Sequence, residues 1–221
     1  MPPAVIATED DLAAGLAALV ACEPRFGRIH AAAGTLPLRL QPAGFEGLVS
    51  IIIAQQVSVA SARAIEARVR VHLAPLKPET LASADDDAYR RAGLSTPKIR
   101  TLRAVAAAVL DGRLALASLD GLSAADAARH LTAIHGIGPW TADIYLLFCL
   151  GHADGFAPGD LALQEGARLA FGLANRPTTV GLDGMSQAWR PWRGVAARLL
   201  FAYYAAVKDG RAAALENGGL P

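Results

Sequence analysis

The chain has 221 residues, a formal net charge of +1 and 53% apolar residues, mostly alanine and leucine. This length allows one large domain or two small lobes, and the apolar content excludes a disordered chain. The near-zero charge gives bulk electrostatics no part in recognising a polyanion, and neither Cys22 nor Cys149 has the close Cys or His neighbours of a zinc or iron-sulfur site. No Lys or Arg precedes the first apolar stretch, and Glu9, Asp10 and Asp11 interrupt it, so no secretory signal is expected. No apolar run reaches membrane-spanning length. A reduced, cytoplasmic protein is the expectation.

Helical signals follow one another along the chain. Thr8 before three acids marks a helix start. "FEGLVSIIIAQQ", from Phe45, is apolar on nearly every side, as a central buried helix is. "TPKIRTLRAVAAAVLDG" predicts a helix capped by Thr96 with Pro97 at its first position. Ile99, Leu102, Val105, Ala106 and Val109 lie on one face, and Gly112 is the stop. Ser123 with Asp126 resembles a capping box in its acidic form and opens a helix toward Ile134. After the turn "HGIGPW", Pro139 begins the next helix. "GDLALQEGARLAFGL" and "RPWRGVAARLLFAYYAAVKDG" read as two more, and the tail after Gly210 as a short last one.

Alternating stretches are scarce and no internal repeat is present. The fold class is therefore all-α, one compact unit over residues 1–221, as a single body or as two helical lobes around a cleft. Arg190, Arg193, Arg198, Lys208 and Arg211 gather near the end of the chain, as a solvated helix face or as a track for phosphates.

The turn between two helices has a use beyond reversing direction. Gly136 and Gly138 can take positive φ and let another backbone approach, while the amides at the next helix start point outward. Such a nest holds a phosphate oxygen without any charged side chain, which suits a chain of this net charge. An ordinary turn between antiparallel helices has the same local signature.

Four segments occur in a fixed order: "FEGLVSIIIAQQVSVASARAI", "LTAIHGIGPWTADIYLLF", "FAPGDLALQ" and "AWRPWRGVAARLLFAYY". Together they resemble the helix-hairpin-helix DNA base-excision glycosylase superfamily, in its 3-methyladenine DNA glycosylase II branch. The resemblance runs from Phe45 to Tyr204, with the helix-hairpin-helix at about 123–150. Larger bacterial members carry an additional N-terminal β-rich domain, and the residues ahead of Phe45 are too few to hold it, so a compact form is implied.

The resemblance implies a monomer that binds damaged duplex DNA, flips out an alkylated base of the 3-methyladenine or 7-methylguanine type and hydrolyses its N-glycosidic bond. It implies no cofactor and, in a bacterium, a place at the nucleoid. Asp160 falls at the catalytic aspartate position; read alone, it is a helix N-cap. The two readings agree, because a positive helix end favours the ionised carboxylate that stabilises a cationic sugar and orients or deprotonates the attacking water. Asp154 is the competing carboxylate. Asp143 serves packing or capping, and Glu165 faces elsewhere.

Trp140 stands where bifunctional relatives carry a Schiff-base lysine, so a monofunctional enzyme without lyase activity is implied. Pro139 replaces a basic residue of some relatives. Trp140, Phe201 and Tyr145 are assigned to the base pocket. Trp189, Trp192, Tyr203 and Tyr204 either add to its wall or pack the core. Gln56, next to Gln55, aligns with the wedge that fills the gap left by an extruded base. Gly136, Ile137, Gly138 and Thr141 are assigned to DNA, and the carbonyls of Thr132, Ile134 and Ile137 to a monovalent cation, sodium or potassium, with no side-chain metal site. Two alternatives stay open: a helix-hairpin-helix DNA-binding module without catalysis, and a glycosylase for another lesion such as uracil or an oxidised purine.

Overall fold

The structure is a computed structural model and describes residues 5–215. Twelve α-helices and two short 3-10 turns make up its regular structure among the described residues, and Val5 pairs with His152 in an isolated antiparallel bridge. The all-α expectation holds. The chain divides into two compact units, Met1–Leu40 with Gly151–Pro221, and Gln41–Leu150.

The first unit opens with α1 (Glu9–Cys22) and α2 (Arg25–Ala33). Thr8 caps α1 in a full capping box. Its hydroxyl accepts from the Asp11 amide at 3.1 Å, and its own amide donates to Asp11 Oδ2 at 2.9 Å. The Thr8 hydroxyl, with the amides of Ala7 and Thr8, holds the Asp11 carboxyl below the usual carboxylate range.

The second unit contains α3 (Phe45–Ala54), α4 (Val59–His72), α5 (Pro78–Ser83), α6 (Asp86–Arg91), α7 (Thr96–Leu110), α8 (Ala124–Thr132) and α9 (Pro139–Phe148). Its centre is α3, which buries Leu48, Val49, Ile51, Ile52 and Ile53 against α4, α7 and α9. Helix α7 starts one residue earlier than its sequence suggests: Ser95 takes the N-cap backbone, Thr96 is already helical and Pro97 is second. A first-turn amide has no partner inside the helix, so proline fits at either of the first two positions. Gly112, at φ +77°, follows the end of α7. Val109 is only half-buried and Ala108 takes its place in the core.

The chain then returns to the first unit with α10 (Leu161–Phe171), α11 (Thr179–Ser186) and α12 (Arg193–Lys208). Helix α12 packs on α1, α2 and α10. It begins at Arg193 and not at Arg190, because Pro191 disfavours helical backbone for the residue ahead of it. Trp189 sits in the core, stacked on Phe171 at 5.6 Å with Phe26 and Phe156 edge-on at 5.2 and 5.9 Å. Residues 211–215 are not helical, which corrects the expected last helix; the rest of that tail lies outside the described residues.

The basic cluster at this end divides: Arg190, Lys208 and Arg211 are exposed, while Arg193 and Arg198 are buried. Arg193 is buried against Asp154, and Arg190 pairs with the same carboxylate. Arg198 is 1% exposed and donates to the carbonyls of Leu38 and Gly194 at 3.1 and 3.0 Å. Among the described residues no helix is long and apolar enough to cross a membrane.

Candidate active site

The hairpin is in the second unit, between α8 and α9. Ser123 caps α8, its hydroxyl accepting from the Asp126 amide at 3.2 Å and donating to the Asp126 carboxylate at 2.6 Å. Gly136 has φ +84°, and a Cβ on it would lie 1.8 Å from Thr101 Oγ1, so only glycine fits. Gly138 is different. Its φ is −89° and no atom lies within 4 Å of the Cβ it lacks, so neither backbone nor packing requires glycine there. What glycine leaves at Gly138 is an open approach to the backbone where α9 begins, at a helix end with no side-chain cap.

Two other hairpin residues face inward. The Ile137 side chain is buried and its amide donates to the Ile134 carbonyl at 3.1 Å, so both serve the turn itself. Thr141 is buried too, and its hydroxyl accepts from Gln55 Nε2 at 2.8 Å.

That bond separates the two neighbouring glutamines. Gln55 ends α3 and turns inward, its amide nitrogen also 3.4 Å from the Gly136 carbonyl. Gln56 is exposed and has φ +56°, a left-handed conformation uncommon for a residue with a side chain. Ser58 fixes the far side of the turn, its hydroxyl accepting from the Ser61 amide at 3.1 Å to cap α4. Such strained residues cluster at functional sites, and Arg39, at φ +49°, is the other non-glycine of this kind among the described residues. Of the two glutamines, Gln56 is the one presented to solvent.

Asp160 belongs to the first unit. It is the N-cap of α10, and its Oδ1 accepts from the amides of Ala162 and Leu163 at 2.8 and 3.0 Å. Below it Gln164, only 6% exposed, donates from Nε2 to the Pro158 carbonyl at 2.8 Å and lies 3.4 Å from Thr179 Oγ1. The turn that delivers Asp160 is therefore tied to its own helix. Sequence reasoning gave Gln164 no role, although a lone amide among "LAL" and "GARLAF" was the available signal.

Asp154, the competing carboxylate, is fully engaged. Arg193 holds both of its oxygens at 2.8 Å and Arg190 reaches Oδ2 at 2.9 Å. Glu165 pairs with Arg168 at 2.8 Å, and that hydrogen bond holds its carboxyl below the usual range. Neighbouring His152 is pushed below the ordinary imidazole value by burial.

Of the aromatic residues, Trp140, Phe201, Trp192 and Tyr204 are half-buried, while Trp189 and Tyr203 are core. Tyr145 is a correction. It is fully buried, its hydroxyl accepts from the Gly44 amide at 2.8 Å, and burial pushes it up to about 12, so it braces the entry to α3 and offers no face to a base. Asp160 and Phe201 thus belong to one unit, and Gln56, the hairpin and Trp140 to the other. Among the described residues no cluster of His, Cys, Asp and Glu is suited to hold a metal ion.

Residues 49–191, which include the turn at Gln56, the hairpin and Asp160, match the HhH-GPD superfamily of base excision DNA repair proteins. A putative DNA-3-methyladenine glycosylase of Bacillus subtilis is 30% identical over 178 residues, and the chain spans 76% of itself and 61% of that relative in the match. The crystal structure of a DNA-3-methyladenine glycosidase from Bacillus halodurans superposes with a TM-score of 0.78 at 35% identity, over 88% of this chain and 91% of that one. The 3-methyladenine DNA glycosylase of Schizosaccharomyces pombe in complex with abasic DNA gives the same TM-score at 27% identity, over 85% and 94%. The chain belongs to the HhH-GPD superfamily of base excision DNA repair proteins.

Proposed function

We propose that the chain is a monofunctional DNA glycosylase that acts as a monomer on duplex DNA and removes alkylated purines. The hairpin backbone at Gly138 and the first turn of α9, with Thr141, take up a phosphate, and Gln56 fills the gap left by the extruded nucleotide. Trp140 and Phe201, each half-buried in its own unit, are the aromatic residues assigned to the base, and an indole face attracts an electron-poor ring.

Bond breaking is heterolytic. The C1′–N9 pair stays with the base, which leaves a methylpurine cation as a neutral molecule and builds positive charge on the sugar. Asp160 faces that charge as a fixed carboxylate, and water forms the new C1′–O bond and passes its proton to Asp160, which returns it to solvent. A cationic purine is already a good leaving group, so no strong general acid is needed. The observation that carries this reading is the position of Asp160, a carboxylate oriented by two amides at a helix start within the segment that matches the family.

A panel of duplexes, each with one lesion, tests it. Release of 3-methyladenine and 7-methylguanine is expected, with strands that break only after alkali, no adduct trapped by borohydride, and little release of uracil or 8-oxoguanine. Preferential release of uracil or of an oxidised purine would overturn the substrate class. A trapped imine would overturn the monofunctional mechanism.

We propose that the hairpin also takes up a monovalent cation. The carbonyl of Thr132 lies at the end of α8, where a helix carries partial negative charge, and those of Ile134 and Ile137 follow in the turn. Ile134 has one oxygen lone pair taken by the Ile137 amide and one left. Exchanging potassium or sodium for tetramethylammonium at constant ionic strength is expected to weaken duplex binding; unchanged binding would remove the cation. Action in the cytoplasm, at the nucleoid of a bacterium, follows from a DNA substrate.

A further inference from the structure

A buried cation lies beneath the wedge turn, and the reading above gives it no task. Lys98 is the third residue of α7 and is only 9% exposed; its Nζ donates to the Ile53 carbonyl at 2.6 Å. Ile53 is next to last in α3, where carbonyls lack an intrahelical partner and the helix dipole favours positive charge. Withdrawing an ammonium from water is unfavourable, and burial lowers the Lys98 amine below its ordinary value. An apolar residue would pack this position without that penalty.

Its surroundings supply a reason. Two residues past Ile53 the turn begins, with Gln55 bonded to Thr141 and with Gln56 left-handed. One turn along α7 from Lys98, Thr101 occupies the space that a Cβ on Gly136 would need. Helix α7 therefore presents Lys98 under the wedge turn and Thr101 under the hairpin, and Gln55 joins the two loops directly.

We propose that Lys98 is a positioning residue that, together with Gln55, locks the α3–α4 turn to the hairpin and holds Gln56 ready for insertion. This rests on the wedge reading of Gln56. A strained left-handed residue persists only where its neighbours over-determine it, and Lys98 fixes the chain just ahead of it as Ser58 does just behind. A wedge ordered before binding loses less entropy on entering the stack.

The test compares affinity for a duplex holding an abasic-site analogue with affinity for the same duplex undamaged. The full-length wild type, Lys98→Met, Lys98→Arg, Gln56→Ala and the Lys98→Met/Gln56→Ala pair are measured, each checked for helical circular dichroism. Lys98→Met is expected to lower the abasic preference by about tenfold, the worth of one charge-assisted hydrogen bond, and Lys98→Arg to restore most of it. On the Gln56→Ala background the same change is expected to add less than about twofold, as for residues acting through one group. A Lys98→Met protein with the wild-type preference overturns the proposal, as does an equal loss with and without Gln56. An unchanged preference in Gln56→Ala alone overturns the wedge reading itself, and the brace falls with it. Should Lys98→Met fail to fold, Gln55→Leu cuts the other tether and carries the same expectations.

Discussion

Asp160 caps α10 through one carboxylate oxygen, and the proposed hydrolysis gives the same carboxylate a second task, the one that calls for negative charge. Capping α10 needs an acceptor for two amides, and stabilising a cationic sugar needs an anion held still. The cap was legible in the sequence, because few residue types cap helices and a glycine ahead of an apolar run marks the start; the catalytic assignment came from the resemblance. Asp154 was harder to judge, since its partners come from about 36–39 residues further on, at Arg190 and Arg193. Asp154→Asn is expected to lower stability by about 2 kcal/mol, roughly 5 °C in melting temperature, because Arg193 is buried and loses one charged partner. Excision by the folded fraction should persist; lost excision at an unchanged melting temperature would move the catalytic role to Asp154. Tyr145 and Lys98 were misread or unread for the same reason. Each finds its partner far along the chain, at Gly44 and Ile53, and local pattern holds no trace of such a bond.

At the scale of elements, the hairpin was legible because its parts are local: a capped α8, a glycine that must be left-handed, and a proline opening α9. Its two glycines have different reasons, and substitutions separate them. Gly136→Ala forces a Cβ into Thr101 and an unfavourable φ, so a loss of about 2–3 kcal/mol in stability is expected. Gly138→Ala meets nothing and keeps an ordinary φ, so stability should fall by only about 0.5 kcal/mol. Duplex affinity should nonetheless weaken in Gly138→Ala, because the methyl covers the backbone a phosphate approaches. Thermal melts and fluorescence anisotropy read the two effects apart, and undiminished affinity in Gly138→Ala would remove this backbone from DNA binding. Helices α2, α4, α5, α6 and α11 were not foreseen: four are six to nine residues long and depend on packing more than on propensity, and α4, with 14 residues, buries only Val69 and so carries no apolar stripe.

For the whole molecule, helical periodicity was enough to read an all-α chain, but not how it is partitioned. The second unit is an insertion between α2 and α10, and periodicity within a window says nothing about which distant helices share a core. The candidate site residues divide between the two units in the same way: the groups assigned to DNA are in one, the carboxylate assigned to the sugar in the other. Glycosidic hydrolysis driven by Asp160 is the claim on which the functional account stands. Single-turnover release of 3-methyladenine by Asp160→Asn tests it most directly, because asparagine keeps the shape and the helix cap and removes only the charge. A loss of about 3 kcal/mol in transition-state stabilisation, roughly a hundredfold in rate, is expected, with melting temperature and affinity for an abasic-site analogue close to wild type. A rate near that of the wild type would contradict the account.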